Sequence, residues 1–201
     1  MISRKSSSIE RMRERIANEG YLLKEEIPIL ISFIKKPVFK LLTFALAYSG
    51  RRISEMLQIK PEDIFPEHNR INWVIEKKGK PTKKMKAVYP GLITTFLKYI
   101  EERDIKEDEY IFKSPYKPNK PYTRNHAWRI IHEAGLKMQK DIHPHTLRHT
   151  YGIMLASEGK SFRVIMDQLD HSDPSTTMVY LQIAQTEIEK SLKESPPVSL
   201  W

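Results

Sequence analysis

Two neighbouring stretches of this chain have the composition of β-strands, and together they restrict the fold more than any other feature. Residues 71–75 (INWVI) are rich in β-branched and aromatic side chains, and residues 85–89 end in Ala-Val-Tyr. The link between them, residues 76–84, is mostly lysine with one glycine and one proline. This pattern predicts a β-hairpin with a basic tip. A chain with one short hairpin has to bury most of its apolar residues between helices.

Apolar residues elsewhere follow helical spacing, and proline or glycine separates many of the runs. Helices are expected over residues 9–18, 27–35, 37–48, 53–59, 92–100, 124–136, 144–157, 162–169, 174–184 and 186–192. A proline-rich loop is expected over residues 115–121. The length of 201 residues suits one ordinary domain. The predicted fold class is mainly α with a small antiparallel β-sheet, an α+β architecture.

Charge and cysteine content narrow the class of function. Lysine and arginine total 34 against 25 acidic residues, a formal net charge of +9. Such a balance favours a nucleic-acid partner, because basic side chains gain affinity by releasing counterions from phosphates, although basic proteins without such a partner also exist. The chain has no cysteine, which excludes disulfides and cysteine-ligated zinc and fits a cytoplasmic protein. No apolar run approaches the roughly 20 residues that span a membrane.

The first two candidate segments carry positive charge in the first half of the chain. Arg52 follows a glycine at a predicted helix start, and Glu55 lies three residues on, where it can orient the guanidinium. Taken alone, this pair is more simply a surface ion pair. The second segment is the hairpin link, which alone is a solvated turn or a contact to DNA phosphates. Its lysines are Lys77, Lys78, Lys80, Lys83 and Lys84.

The third segment places His145 and Arg148 three residues apart on a predicted helix, so that they share a face. An imidazole beside a guanidinium suits a phosphate, because one side chain can move protons while the other binds two oxygens. A rival interpretation is a metal site formed by His143, His145 and His149. That interpretation is weaker, because no carboxylate accompanies the histidines at a metalloprotease-like spacing and Arg148 would repel a cation.

The fourth segment contains His171 and Tyr180, which are nine residues apart. A tyrosine on the apolar face of a helix is usually a core residue, and a histidine near a helix end is usually unremarkable. Neither residue indicates chemistry by itself.

The four segments together, in this order, resemble the tyrosine recombinase family, which includes Xer-type recombinases, Cre and phage integrases. The first resembles the family's TG-x-R-x-SE box and assigns its first catalytic arginine to Arg52. The third matches the H-x-x-R box at His145 and Arg148. The fourth resembles LGHS-x-x-x-TT-x-x-Y and assigns catalytic roles to His171 and Tyr180.

The resemblance covers about residues 37–180, and the sequence departs from the family pattern in three places. Asp170 stands where glycine is frequent, and Ser49 stands where threonine is common. The hairpin lies where the family has its catalytic lysine, and Lys78 is the closest match. The turn is longer than the usual GKGNK, so Lys77, Lys80 and Lys83 are rivals for that role.

The resemblance implies a metal-free reaction on DNA without a cofactor, which should proceed in a chelator. Tyr180 would attack a DNA phosphate to give a 3′-phosphotyrosine and a free 5′-hydroxyl. The two arginines would hold the non-bridging oxygens, and Lys78 would protonate the leaving oxygen. His145 would assist proton transfer, and His171 would bind or steady the phosphate. The other hairpin lysines, Lys77, Lys80, Lys83 and Lys84, would contact DNA.

The implied partners are double-stranded DNA and further copies of the chain. Residues 1–20 are interpreted as a basic lead-in, 21–184 as the catalytic domain, and 185–201 as a tail helix that contacts another subunit in a tetramer on DNA. The family normally has a separate DNA-binding domain before the catalytic one. The expected location is the cytoplasm, on the nucleoid. Three alternatives remain: a type IB topoisomerase-like enzyme, a non-catalytic DNA-binding module and a metal-dependent hydrolase.

Overall fold

The computed structural model describes residues 8–77 and 80–194, which fold into helices with two small sheets. The helices are α1 (Ser8–Glu19), α2 (Glu26–Ser32), α3 (Pro37–Ser49), α4 (Ile53–Leu57), α5 (Pro90–Glu102), α6 (Arg124–Lys137), α7 (Pro144–Ser157), α8 (Phe162–Leu169) and α9 (Pro174–Glu194). The strands are β1 (Ile64–Phe65), β2 (Arg70–Lys77), β3 (Lys80–Ala87), β4 (Lys113–Ser114) and β5 (Lys117–Pro121). The predicted fold class, mainly α with small antiparallel sheets, is confirmed.

The larger sheet has the order β1-β2-β3, and both of its pairings are antiparallel. The side chains of Ile71, Trp73 and Ile75 alternate into the core from β2. The register runs from Arg70 opposite Ala87 to Lys77 opposite Lys80. The strands therefore extend further into the lysine-rich link than predicted, and their pairing leaves Lys83 and Lys84 exposed to solvent.

Two local predictions were wrong. Residues 115–121, expected as a loop, contribute most of the β4–β5 hairpin. The expected break near residue 185 does not exist, because α9 is continuous from Pro174 to Glu194. Gln185 is a good helix former, and neither glycine nor proline interrupts this stretch. In the described part of the chain, no helix has the length and hydropathy required to cross a membrane.

The apolar core has two clusters, and the smaller one surrounds Tyr180. It lies between α1, α7, α8 and α9 and includes Ile16, Tyr151, Ile165 and Leu169. Gly50 ends α3 with a φ of 62°, and a Cβ there would lie 2.4 Å from the Tyr151 ring. A left-handed backbone with no room for a side chain favours glycine, and this turn leads directly into the first candidate segment.

Candidate active site

Arg52 lies at the start of α4 and is held by a buried carboxylate. Its backbone N–H donates to Glu55 Oε2 over 3.1 Å, and its guanidinium donates to Glu55 Oε1 over 2.7 Å. Glu55 is 4% exposed, whereas the Arg52 side chain is 40% exposed. The guanidinium is therefore fixed on its inner side and open to solvent on its outer side.

Arg148, on α7, is buried and bound by two backbone carbonyls. It donates to the carbonyl of Gly50 over 2.7 Å and to that of Leu169. Burial, followed by the charges of Arg52 and Arg51, lowers the pKa of Arg148 to about 10, so it stays a cation at neutral pH. The ends of α3 and α8 thus fix the second arginine beside the first.

Three of the predicted site residues line one cavity of about 240 Å³: Arg52, His145 and Arg148. Arg124 and Trp128 of α6 also line it. Burial lowers the pKa of His145, which favours a neutral imidazole. Two fixed guanidinium groups in one cavity suit an anion with several oxygens, such as a phosphate diester. This cavity is called the anion pocket below.

His171 and Tyr180 lie next to each other. The His171 Nδ1 is 3.1 Å from the Thr177 hydroxyl, and the two ring centroids of His171 and Tyr180 are 5.8 Å apart. Burial and the charges of Arg148 and Arg52 lower the pKa of His171 to about 3. Burial raises the pKa of Tyr180, although Arg148 pulls in the opposite direction. In this arrangement the imidazole and the phenol are both neutral.

The structure also brings His149 to Tyr180, a contact that the sequence analysis missed. His149 Nδ1 is 2.8 Å from the Tyr180 hydroxyl, and His149 Nε2 is 2.7 Å from Glu19 Oε2. From the sequence, His149 was a candidate only for the rival metal site. Within the described residues, no three His, Asp or Glu side chains are grouped as metal ligands. Glu19 lies 130 positions before His149, so no spacing rule links them.

Asp170 joins the hairpin to the site. It has a left-handed backbone with a φ of 50°, which explains why glycine is a natural residue here. Its carboxylate accepts from Arg51 over 2.7 Å and from Lys84 over 2.8 Å. Burial alone would raise the pKa of Asp170, but the hydrogen bonds from Lys84 and Arg51 lower it to about 2. Lys84 is thereby held next to the residue that precedes His171.

The other hairpin lysines have different environments. Lys83 pairs with Asp63 over 2.9 Å, on the opposite side of β3 from Lys84. Lys86 is buried and donates to Asp167. The predictions for Lys77, Lys78 and Lys80 concern side chains outside the described part of the chain.

Comparison with known proteins places the chain in a family. Residues 20–187 match the phage integrase family, and the chain belongs to this family. It is 33% identical over 193 residues to a tyrosine recombinase of Pseudothermotoga lettingae, covering 92% of this chain and 64% of the relative. It is 28% identical to the tyrosine recombinase XerA of Pyrococcus furiosus, covering 87% of this chain and 61% of that protein. The chain thus spans less than two thirds of these relatives.

Solved structures share the fold. The crystal structure of XerA recombinase superposes with a TM-score of 0.72 and 24% identity, covering 90% of this chain and 66% of that one. The XerH site-specific recombinase bound to its palindromic difH substrate superposes with a TM-score of 0.61 and 20% identity. That comparison covers 87% of this chain and 53% of XerH.

Proposed function

We propose that this chain is the catalytic part of a site-specific DNA recombinase, which cleaves and rejoins DNA strands through a covalent bond to Tyr180. The observation that carries the proposal is the anion pocket, in which Arg52 and Arg148 are fixed side by side, with Tyr180 close enough to Arg148 for that charge to act on its pKa. The family membership and the similarity to tyrosine recombinases support it.

Tyr180 is the nucleophile in this proposal, and it attacks a phosphate held in the anion pocket. The products are a 3′-phosphotyrosine and a free 5′-hydroxyl, so the bond energy is kept for rejoining. Arg52 and Arg148 stabilise the negative charge that grows on the non-bridging oxygens. Positioned donors of this kind are often the largest catalytic effect. Glu55 holds Arg52 in place by accepting hydrogen bonds from its backbone N–H and from its guanidinium.

The leaving 5′-oxygen requires a proton, which we assign to a hairpin lysine. Two lysines are candidates for this role. Lys78 matches the family pattern, and Lys84 donates to Asp170, the residue directly before His171. His171 binds a phosphate oxygen. His145 lines the anion pocket and serves the same phosphate. No step uses a metal ion or a cofactor.

Double-stranded DNA is the proposed partner, supported by the net charge of +9 and by the lysines of the hairpin. We also propose that copies of the chain associate on DNA through residues 185–201. The exposed side chains of Ile188 and Leu192, at the end of α9, support this contact. Residues 21–184 are the proposed catalytic domain, and the proposed location is the cytoplasm, on the nucleoid.

Trapping of the covalent intermediate tests the proposal. The protein is mixed in EDTA with a pool of nicked and supercoiled DNA, quenched with SDS and examined for a protein–DNA adduct. Tyr180→Phe should abolish the adduct. Tyr151→Phe is the matched control, because Tyr151 is a buried tyrosine of the same cluster, and it should keep the adduct.

Each other outcome supports a different function. DNA binding without any adduct would support a non-catalytic DNA-binding module. An adduct with relaxation of supercoils, but without strand exchange between two sites, would support a topoisomerase-like enzyme. A parallel reaction with Mg²⁺ in place of EDTA completes the test, and an adduct that forms only with Mg²⁺ would support a metal-dependent reaction.

A further inference from the structure

We infer that His149 accepts the phenolic proton of Tyr180, and that Glu19 of α1 is the residue that positions His149 for this task. The inference rests on the proposed function, because it concerns the nucleophile of that reaction. It adds a catalytic histidine that the motif comparison does not assign, and it gives a role to a helix that the sequence analysis interpreted as a lead-in.

The hydrogen bonds determine which nitrogen of His149 is free. Hydrogen bonds from Arg15 and His149 outweigh the effect of burial and lower the pKa of Glu19, so its carboxylate is ionised and can only accept. His149 Nε2, which is 2.7 Å from that carboxylate, therefore carries the ring proton. His149 Nδ1 then has a lone pair, and the Tyr180 hydroxyl, 2.8 Å away, donates to it. A carboxylate that orients a histidine beside a nucleophile is a recurring arrangement in covalent catalysis.

Helix α1 is held firmly enough to act as a support. The Thr146 hydroxyl donates to the carbonyl of Glu19 over 2.9 Å, and the backbone N–H of Leu22 donates to the Thr150 hydroxyl over 2.9 Å. Ile16 is buried in the same apolar cluster as Tyr180. These contacts fix the C-terminal end of α1 on α7, which is the helix that carries His149.

Burial keeps His149 neutral, so the lone pair of Nδ1 can accept a proton. Burial lowers the pKa of His149 to about 4, and the hydrogen bond that His149 donates to Glu19 opposes this effect. The titratable and charged groups that face His149 and Tyr180 are Arg15 and Glu19 of α1, His145 and Arg148 of α7, and His171 after α8. Among these groups, Glu19 is the anion that can stabilise a protonated His149.

The proton and the bonds balance in a single displacement. The Tyr180 oxygen forms a bond to phosphorus while the bond from phosphorus to the 5′-oxygen breaks. The phenolic proton passes to His149 Nδ1, and the resulting imidazolium lies against the Glu19 carboxylate. The 5′-oxygen takes its proton from the hairpin lysine. In rejoining, the 5′-hydroxyl returns its proton to the hairpin lysine as its oxygen attacks phosphorus, the bond from phosphorus to the Tyr180 oxygen breaks, and His149 returns the phenolic proton.

The experiment compares adduct formation by His149→Gln, Glu19→Gln and the wild-type chain across pH. Glu14→Gln is the matched control, because it removes an exposed carboxylate from the same helix. Each protein is tested on two DNA pools, one with normal phosphodiesters and one with sulfur in place of the bridging 5′-oxygen. A thiolate leaves without a proton, so the second pool removes the need for the leaving-group acid.

We expect His149→Gln to slow adduct formation at neutral pH by about 100-fold, the low end for loss of a general base. Its rate should rise about tenfold per pH unit between about pH 7 and about pH 9, because the reaction then depends on the phenolate fraction. The wild-type rate should be flat in this range, and the sulfur pool should not restore the variant. Glu19→Gln should lose about tenfold with the same pH slope, whereas Glu14→Gln should match the wild type.

Restoration of His149→Gln by the sulfur pool would overturn the inference, because His149 would then serve the leaving group. Wild-type rates and a flat pH profile in both variants would also overturn it. If a variant unfolds, the ¹⁵N shifts of the His149 ring in the wild-type chain provide the test, and a proton on Nδ1 would contradict the inference. Absence of an adduct in the wild-type chain contradicts the proposed function instead, so the two failures are distinguishable.

Discussion

The two parts of the candidate site differ in exposure to solvent and in net charge. The anion pocket, lined by Arg52, His145 and Arg148, is an open cavity with two fixed cations. The nucleophile side, formed by Tyr180, His149 and Glu19, is closed: Tyr180 is 1% exposed and His149 is 4% exposed. The open part is prepared for a charged group that arrives from outside. The closed part keeps its own reactive group neutral through hydrogen bonds.

This difference means that Tyr180, the proposed nucleophile, stays in its neutral form while the anion pocket is open to solvent. Burial raises the pKa of Tyr180, so the free chain contains a phenol and not a phenolate. Two arginines favour the phenolate: Arg148, which lines the anion pocket, and Arg15 of α1. Their effect on the reaction becomes large when a phosphate replaces water in the anion pocket, because electrostatic interactions strengthen as water leaves.

Arg148 lies on the boundary between the two parts, so its removal should have the largest effect. Arg148→Ala should slow adduct formation by about 10³-fold, the upper value for loss of one transition-state donor. It should also lower the free energy of unfolding by about 1–3 kcal/mol, because the buried carbonyls of Gly50 and Leu169 lose their donor.

Arg148→Lys separates the charge from the geometry at the same position. Lysine keeps the positive charge but lacks the planar fork, so DNA affinity should recover while the rate of adduct formation stays low. Quenched time courses measure the rate of adduct formation, DNA titrations measure the affinity, and urea unfolding measures the stability of the Arg148 variants. A lysine variant with the wild-type rate would show that charge alone is sufficient.

Asp170→Asn should give the second-largest effect, because it removes the carboxylate that pairs with Arg51 and Lys84. Arg51 is 1% exposed, and loss of its carboxylate partner should cost about 3 kcal/mol in the free energy of unfolding. Asparagine tolerates the left-handed backbone, so the fold of the turn should persist. Urea unfolding at neutral pH measures the loss.

The pH dependence of this loss has a definite sign. The pKa of Asp170 is about 2 in the folded chain, below its ordinary value of 3.8, so its stabilising effect is present above that ordinary value and is lost as the pH falls towards 2. The stability difference between wild type and Asp170→Asn should therefore shrink as the pH is lowered through this window. A difference that grows on acidification would contradict the assigned ion pairs.

The two parts also differ in how far they could be predicted from the sequence. Arg52, His145 and Arg148 lie in short motifs with helical spacing, which predicts that each motif presents its residues on one face. The pairing of Glu19 with His149 joins α1 to α7 across 130 positions, and only tertiary packing brings them together. The β4–β5 hairpin was missed for a related reason, because strand pairing overrides the low strand propensity of its lysines and prolines.

Gly152→Ala tests how tightly the closed part is packed. A Cβ at Gly152 would lie 2.4 Å from the Tyr180 ring, so the ring must move or α7 must shift. We expect a loss of about 2 kcal/mol in the free energy of unfolding, as for other overpacked cores, together with a slower adduct. Gly91→Ala is the control: its Cβ meets nothing within 4 Å, and alanine favours the helix.

A second substitution shows whether the cost of Gly152→Ala comes from this contact. In the double variant with Tyr180→Ala, the extra methyl group has room. The double variant should therefore lose less stability than the sum of the losses in the two single variants. Strict additivity would place the cost of Gly152→Ala elsewhere in α7. Thermal or urea unfolding of the two single variants and the double variant measures the coupling.

The smallest expected effect is a difference between substitutions of two neighbouring lysines of β3. Lys83 and Lys84 point to opposite sides of the strand, towards Asp63 and Asp170. Both side chains are about half exposed, so each ion pair should contribute less than about 1 kcal/mol to stability. Lys84 shares Asp170 with Arg51, which lines the anion pocket, whereas Lys83 does not. Only Lys84→Gln should therefore reduce the dependence of DNA affinity on salt, by about one phosphate contact. Equal slopes for Lys83→Gln and Lys84→Gln would mean that the hairpin meets DNA with both faces, and the open part of the site would then extend beyond the cavity.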